Sequence, residues 1–270
     1  MNSLYEIAAD IENDEEVITH KTHLPDDFIF NPHYHEGIEI LSFFDGEGYG
    51  EIDGERIYIK SGDTVIFNSK QVHFIVTDTT LSYYCVIAKK SFLKKHNFPY
   101  KEKYILNKIN DAEIYSFCKM LCDCNDTPTL WQKEKAHAYL LLLAIRLFSD
   151  FTDDKKSGIN RVSGNKTSLV INVMDYISDN CEKTLSIEEI ASYVGYSKYY
   201  LCRTFKELTN QTIIEYINRL KCTKAINDLK SGKFTVYETA NKYGFENFSY
   251  FSETFKKYTG KSPSYYKKTD

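Results

Sequence analysis

Short runs of β-branched and aromatic residues give the front of the chain its pattern: Ile38 to Phe44, Ile57 to Ile59, Thr64 to Phe67, Val72 to Val76 and Leu81 to Ala88. Turn-forming segments separate them, namely Gly46-Glu47-Gly48, Asp53-Gly54 and Ser61-Gly62-Asp63. The Asp-Gly pair between Ile52 and Glu55 predicts a two-residue hairpin, because both central positions of a type I′ turn need positive φ. Evenly spaced short strands with such turns predict an all-β sandwich or small barrel. After Ser91 the apolar period lengthens, and Asp111 to Leu121 and Trp131 to Phe151 read as helices. The second is apolar nearly all round from Ala138 to Phe148, so it requires cover on more than one side, from the barrel and from a second subunit.

Thr152 to Lys166 is polar and Gly/Ser-containing, the composition of a flexible linker, and predicts a boundary between residues 1–151 and 167–270. Beyond it the sequence repeats with a period of 49 to 50 residues. Ala191 and Gly195 recur as Ala240 and Gly244; Tyr200, Leu201, Phe205, Lys206 and Thr209 recur as Tyr250, Phe251, Phe255, Lys256 and Thr259. Each unit reads as a short capped helix, a turn at glycine and a second helix ending in Phe-Lys. Ser186 to Glu189 and Thr235 to Glu238 both fit a capping box, in which hydroxyl and carboxylate satisfy orphan backbone N–H groups reciprocally. Helix, glycine turn and helix is the helix-turn-helix signature, whose second helix enters the DNA major groove. Between the units, apolar residues from Ile213 to Leu229 predict one amphipathic helix over Thr212 to Lys230, stopped at Gly232. At 1.5 Å per residue it spans about 29 Å, a rigid spacer between two readers. The predicted fold is therefore two domains, an all-β barrel with a helical tail and an all-α domain of two helix-turn-helix units joined by a long helix.

Charge sharpens this division. The net charge of −4 hides 17 Lys and Arg against 26 Asp and Glu in residues 1–160, and 17 against 12 in residues 161–270. An acidic front and a basic back are expected when only the back meets a polyanion. Seven cysteines without an export signal fit reduced buried thiols better than a disulfide framework, and Cys118, Cys122 and Cys124 lack a partner pair at metal-ligand spacing. No apolar stretch approaches the roughly 20 residues that span a bilayer. Met1 to Asp10 has neither a basic nor an apolar signal region, so a cytoplasmic protein is expected.

His33-Tyr34-His35-Glu36-Gly37-Ile38-Glu39, with Gly46 following, resembles the first cupin motif. Gly62 with His73 eleven residues on resembles the second, except that Asn68 stands where proline is usual and Lys70 where glycine is usual. Leu185 to Lys268 resembles the DNA-binding domain of the AraC/XylS family of bacterial transcription regulators along essentially its whole length. The carrying residues are Ile190, Ala191, Val194-Gly195-Tyr196-Ser197, Tyr200-Leu201 and Phe205-Lys206; then Tyr216-Ile217-Asn218, Leu220 and Ala225; and finally Gly244 to Ser252, Phe255 to Gly260, Pro263 and Tyr266. An N-terminal cupin joined by a linker is a layout of the same family. Glu253, where the family often has a basic or polar residue, and Lys267, in place of a terminal arginine, depart from the pattern.

The resemblance implies a transcription regulator, with activation the commoner sign. Its partners would be double-stranded promoter DNA, a small polar effector such as a carbohydrate, RNA polymerase and a second copy of the chain. Helical spacing turns Lys198, Tyr199, Cys202, Arg203 and Lys206 outward in the first reading helix, and Phe248, Ser249, Ser252, Glu253 and Lys256 in the second, with Asn247 at its start. Arg203 suits guanine O6 and N7, Tyr199 and Phe248 suit thymine methyls, and Glu253 suits cytosine N4. The lysines suit phosphates, which position without specifying. The effector is expected inside the barrel on His33, His35, Glu39 or His73, beside aromatic residues among Tyr34, Phe43, Phe67 and Phe74. In metal-binding cupins such a set holds one divalent cation, suited to Fe, Mn, Ni or Zn; otherwise no cofactor is expected. Two other readings stay open, a barrel that only dimerises and a metal-dependent cupin oxygenase or isomerase using the same four residues. The second leaves the paired DNA readers unexplained, so no catalytic residue is assigned.

Overall fold

The structure is a computed structural model that describes residues 16–126, 130–153 and 156–267. The signal-peptide reading of Met1 to Asp10 lies outside the described residues. The chain divides into two compact units, Met1–Thr167 and Ser168–Asp270. Among the described residues no helix is long and apolar enough to cross a membrane.

The first unit contains β1 (Val17–Leu24), β2 (Ile38–Asp45), β3 (Glu47–Ile52), β4 (Glu55–Lys60), β5 (Thr64–Phe67), β6 (His73–Thr77), β7 (Leu81–Ala88), α1 (Lys90–Lys95), β8 (Lys108–Ile109), α2 (Ala112–Asp126) and α3 (Gln132–Asp150). One antiparallel sheet runs in the order β1-β7-β2-β5-β8 and a second in the order β4-β3-β6. Asp53 and Gly54 both have positive φ, 50° and 86°, and join Ile52 to Glu55 as the hairpin requires. The larger sheet is buried on both faces, and strand alternation sorts its side chains. Leu41, Phe43, Val65, Phe67, Tyr83, Cys85 and Ile87 meet Ile52, Ile59 and Ile75 of the smaller sheet. Ile38, Ile40, Ile66, Tyr84, Val86 and Ala88 meet residues of α1, α2 and α3.

The strand runs read from the pattern fall in β2 and β4 to β7, with Val72 one residue ahead of β6, whereas β1, β3, β8 and α1 fall outside it. β1 is half polar (Val-Ile-Thr-His-Lys-Thr-His-Leu), and β3 begins with Glu47 and Gly48, which read as turn residues. Gly48 sits there because β6 passes so close that a Cβ would lie 2.3 Å from the Val76 carbonyl oxygen. Helix α3 is not covered all round: Leu140, Leu143, Ala144 and Leu147 are buried, while Leu142 and Ile145 are about half exposed, 48% and 51%.

The second unit comprises the end of α4 (Lys156–Asp179), then α5 (Ile187–Val194), α6 (Lys198–Thr209), α7 (Ile213–Ser231), α8 (Val236–Lys242), α9 (Phe248–Thr259) and α10 (Pro263–Tyr266). The helical course of α4 from Lys156 corrects the flexible-linker expectation for 152–166, of which residues 154 and 155 lie outside the described residues. Composition weighs those polar residues one by one, but adding a turn to an existing helix costs far less than nucleating one. Ser186 caps α5 by accepting from Glu189 N, but the Glu189 carboxylate accepts from Tyr176 Oη at 2.7 Å, so no reciprocal box forms there. Thr235 forms the full box with Glu238, and Thr212 forms an unanticipated one with Glu215. Helix α7 is the predicted spacer, burying Ile217, Leu220, Ala225, Ile226 and Leu229 and packing against α6, α8, α9 and α10.

Candidate functional sites

In the DNA-reader candidate, the two short helices of each repeat are held by equivalent buried pairs. Leu201 and Phe205 in α6, and Phe251 and Phe255 in α9, are fully buried. Each pair is one helical turn apart, so the side chains at 199, 203 and 206, and at 249, 253 and 256, are left on the exposed face. Tyr199 is 76% exposed; Lys198, Arg203, Lys206, Phe248, Ser249, Glu253 and Lys256 are also exposed, and Cys202 and Ser252 are half-buried. Two residues are already engaged. The Lys198 ammonium is paired with Glu188, and the Asn247 side-chain oxygen caps α9 by accepting from Tyr250 N at 2.9 Å. Tyr196 and Tyr200 stack with ring centroids 5.2 Å apart on the same exposed region, an aromatic element that the outward-residue reading did not include.

In the first unit the structure brings His33, His35, Glu39 and His73 together. Glu39 opens β2 on the face of Leu41 and Phe43, His73 opens β6, and His33 pairs with His73 through reciprocal backbone hydrogen bonds of 3.0 and 2.9 Å. Glu39 Oε2 lies 2.8 Å from His73 Nε2, 3.2 Å from His35 Nε2 and 3.9 Å from His33 Nε2. Phe67 stacks on His73 at 3.9 Å and Phe30 tilts against His33 at 5.3 Å. Of the other aromatic residues expected there, Phe43 packs on Tyr83 at 5.3 Å, Phe74 lies on the opposite face of β6 from His73, and Tyr34 is half-buried.

The electrostatics of this cluster follow from burial. Burial pushes the Glu39 carboxyl up, but hydrogen bonds from His35 and His73 outweigh it and hold the group well below the usual carboxylate range. Burial, reinforced by His73 and His35, holds His33 well below the ordinary imidazole range. His33 Nδ1 donates to the Asn31 carbonyl at 2.7 Å and His73 Nδ1 to the Gln71 carbonyl at 2.8 Å. These bonds leave each Nε2 as the nitrogen facing Glu39, so a proton or a metal ion between nitrogen and carboxylate makes the contact attractive. All four donor atoms lie within 4.8 Å of one another, and three imidazoles with a carboxylate suit a divalent transition metal. The residues fit such an ion, with ring orientation already set by the backbone.

A pH dependence follows. In chelator-treated protein, the unfolded chain takes up a proton on His33 near pH 6.5 that the buried native ring does not. Stability of this unit is therefore expected to fall as pH drops below that value, by about 1.4 kcal/mol per pH unit for one proton. Thermal unfolding of wild type and His33→Gln from pH 8 to 5 checks this; the variant should show the shallower slope.

The second cupin-like motif departs from the usual pattern at two positions that the structure accounts for. Asn68 donates from Nδ2 to the Ile105 carbonyl at 2.8 Å and accepts from Ile105 N at 2.9 Å, pinning the segment before β8. Lys70 adopts φ 63°, the left-handed conformation that suits glycine. The turn between β5 and β6 borders an open cleft of about 480 Å³, also lined by Glu36, Lys90 and residues 100–104, to which none of the four clustered residues contributes. The thiols carry no comparable site among the described residues: Cys118 and Cys122 are buried on α2, and burial pushes the Cys118 thiol up to about 12.

Comparison with known proteins agrees in both units. A family described as a helix-turn-helix domain matches residues 190–269, and one described as an AraC-like ligand binding domain matches residues 17–96. The HTH-type transcriptional activator AarP of Providencia stuartii is 32% identical over 105 residues, which cover 39% of this chain and 78% of the relative. The multiple antibiotic resistance protein MarA of Escherichia coli is 36% identical over 98 residues, covering 36% and 77%. Among solved structures, wild-type ToxT of Vibrio cholerae with an unsaturated fatty acid bound superimposes with a TM-score of 0.51 over 94% of this chain and 96% of that one, at 15% identity, a likeness of fold.

Proposed function

Because the chain belongs to the AraC/XylS family of DNA-binding transcription activators, we propose that α6 and α9 enter successive major grooves of double-stranded promoter DNA under the control of an effector held by the N-terminal ligand-binding unit. The observation that carries this reading is the repeat itself: two exposed helices with equivalent buried Leu/Phe and Phe/Phe pairs, both packed on the one helix α7. Arg203, Tyr199, Cys202, Phe248, Ser249, Ser252 and Glu253 are the base-edge candidates, Lys206 and Lys256 the phosphate contacts. Lys198 reaches phosphate by leaving Glu188, and Asn247 retains its amide N–H groups for DNA. Footprinting of residues 167–270 on upstream promoter DNA tests it. Two protected segments about 34 to 36 Å apart on one face are expected, and absence of protection on every promoter fragment refutes the reading.

A homodimer forms through α3. Ala138, Leu142 and Ile145 are exposed at i, i+4 and i+7, and Trp131 continues the stripe one heptad earlier at 60% exposure. The double variant Leu142→Glu, Ile145→Glu is expected to sediment as a monomer while keeping its fold; an unchanged mass would sink the assignment. As a regulator the chain would work in the cytoplasm with RNA polymerase and not as an enzyme, a reading supported by the helix-turn-helix and AraC-like ligand binding matches and by the likeness to the transcriptional activator AarP.

For the His33, His35, Glu39 and His73 centre, a divalent cation is favoured over a carbohydrate, because the four donors face one another at contact distance and line no part of the cleft. A bound cation would neutralise Glu39 and lock the start of β2 to the start of β6. Metal analysis of purified protein against Glu39→Gln tests this; equal metal content in the two overturns it.

A further inference from the structure

The cleft of about 480 Å³ is a separate feature, within the range of roughly 300 to 1,000 Å³ typical of small-molecule sites. We propose that it binds a small multiply charged oxyanion, a dicarboxylate or a phosphorylated metabolite, through Lys70, Lys90, Lys101, Lys103 and the Tyr100 hydroxyl. This goes beyond the effector reading of the His–Glu centre and does not depend on it.

Four observations support the assignment. The cleft is lined by four lysines against two carboxylates, Glu36 and Glu102, an excess that matches a dianion. That excess is local, since residues 89–108 hold seven lysines and one carboxylate inside an otherwise acidic half. Tyr100 is only 7% exposed and its hydroxyl has no hydrogen-bond partner among the described residues, a cost of about 1 to 3 kcal/mol that an acceptor oxygen in the cleft would remove. Lys70 holds a left-handed backbone conformation that a side chain adopts at a cost, and such strain clusters where a side chain is needed for function.

Glu36 explains how the site exists before the ligand arrives. Its carboxylate takes Lys70 at 3.5 Å and Lys90 more closely, standing in for an oxyanion at the rim. An incoming dianion competes with Glu36 for these two ammonium groups and gains the Tyr100 O–H, which burial keeps protonated by raising its pKa. The cleft also adjoins the buried centre, because Lys70 N donates to the His35 carbonyl at 2.7 Å. Occupancy therefore bears on the same turn that positions His35.

Calorimetric titration of the full-length protein at constant ionic strength tests the proposal, with succinate and glucose 6-phosphate as dianions and glucose as the uncharged control. One site per chain is expected for at least one dianion and none for glucose; a response to succinate alone identifies carboxylate recognition, and one to glucose 6-phosphate alone identifies phosphate recognition. Lys70→Gly is expected to weaken that binding about tenfold while leaving the ligand-free melting temperature equal or higher, since glycine relieves the positive φ. Tyr100→Phe should weaken it with promoter binding unchanged, and Glu36→Gln should tighten it. Failure of both dianions to bind at about 10 mM, or binding that Lys70→Gly and Tyr100→Phe leave intact, overturns the proposal.

Discussion

Phe205→Ala and Phe255→Ala are each expected to remove about 3 to 5 kcal/mol of stability from the second unit and with it specific DNA binding. Both rings are fully buried: Phe205 meets Tyr216 edge-on at 5.4 Å, and Phe255 lies 5.5 Å from Phe251 and 5.7 Å from Tyr266. A domain of this size holds only about 5 to 15 kcal/mol in total, so loss of one ring leaves its helix poorly anchored on α7. The exposed Tyr199→Ala, by contrast, should alter stability by no more than about 0.5 kcal/mol and still impair DNA recognition. Urea unfolding and operator titration of the three variants separate these effects. A Phe205→Ala protein as stable as Tyr199→Ala would mean that α6 is not held by the ring.

Arg203→Ala is expected to cost about 1 to 3 kcal/mol of specific affinity and to relax preference at one base pair, while Lys206→Ala weakens all sequences alike and lowers the salt slope by about one. The repeat gives this prediction a counterpart. Arg203 and Glu253 occupy equivalent places, two residues after Leu201 and Phe251 and two before Phe205 and Phe255, and both are exposed. Opposite charges at matched positions suit a donor fork onto guanine in one half-site and an acceptor for cytosine N4 in the other. Glu253→Ala should therefore relax a different base pair and, by removing a negative charge facing phosphate, raise non-specific affinity. Titrations on base-substituted operators at several salt concentrations measure all three. If Arg203→Ala and Lys206→Ala lose affinity equally on every sequence, Arg203 contacts phosphate instead of a base.

The reach of the sequence differed between the two units for a physical reason. In the second, the determining interactions are local: caps at Ser186, Thr212 and Thr235, αL glycines at 195 and 232, and buried pairs one turn apart, all written within a few residues of each other. Their repetition located the two candidate reading helices and their exposed residues directly. In the first unit, the residue types and spacing of His33, His35, Glu39 and His73 were legible. Their contact, however, depends on packing β2 of one sheet against β6 of the other, which brings Glu39 to His73 across 34 positions, and on the backbone bridge from His33 to His73. β3 was hidden because Gly48, which reads as a turn residue, instead serves close strand approach, and α4 extended through a segment whose composition alone reads as a linker. The cleft was the least legible: Lys70 and Tyr100 carry no joint motif, and their neighbourhood comes from packing a β-turn against the segment after α1. Local hydrogen-bonding and period-3.6 patterns thus determined the helices of the second unit, whereas non-local strand pairing and sheet packing decided which residues of the first unit come together.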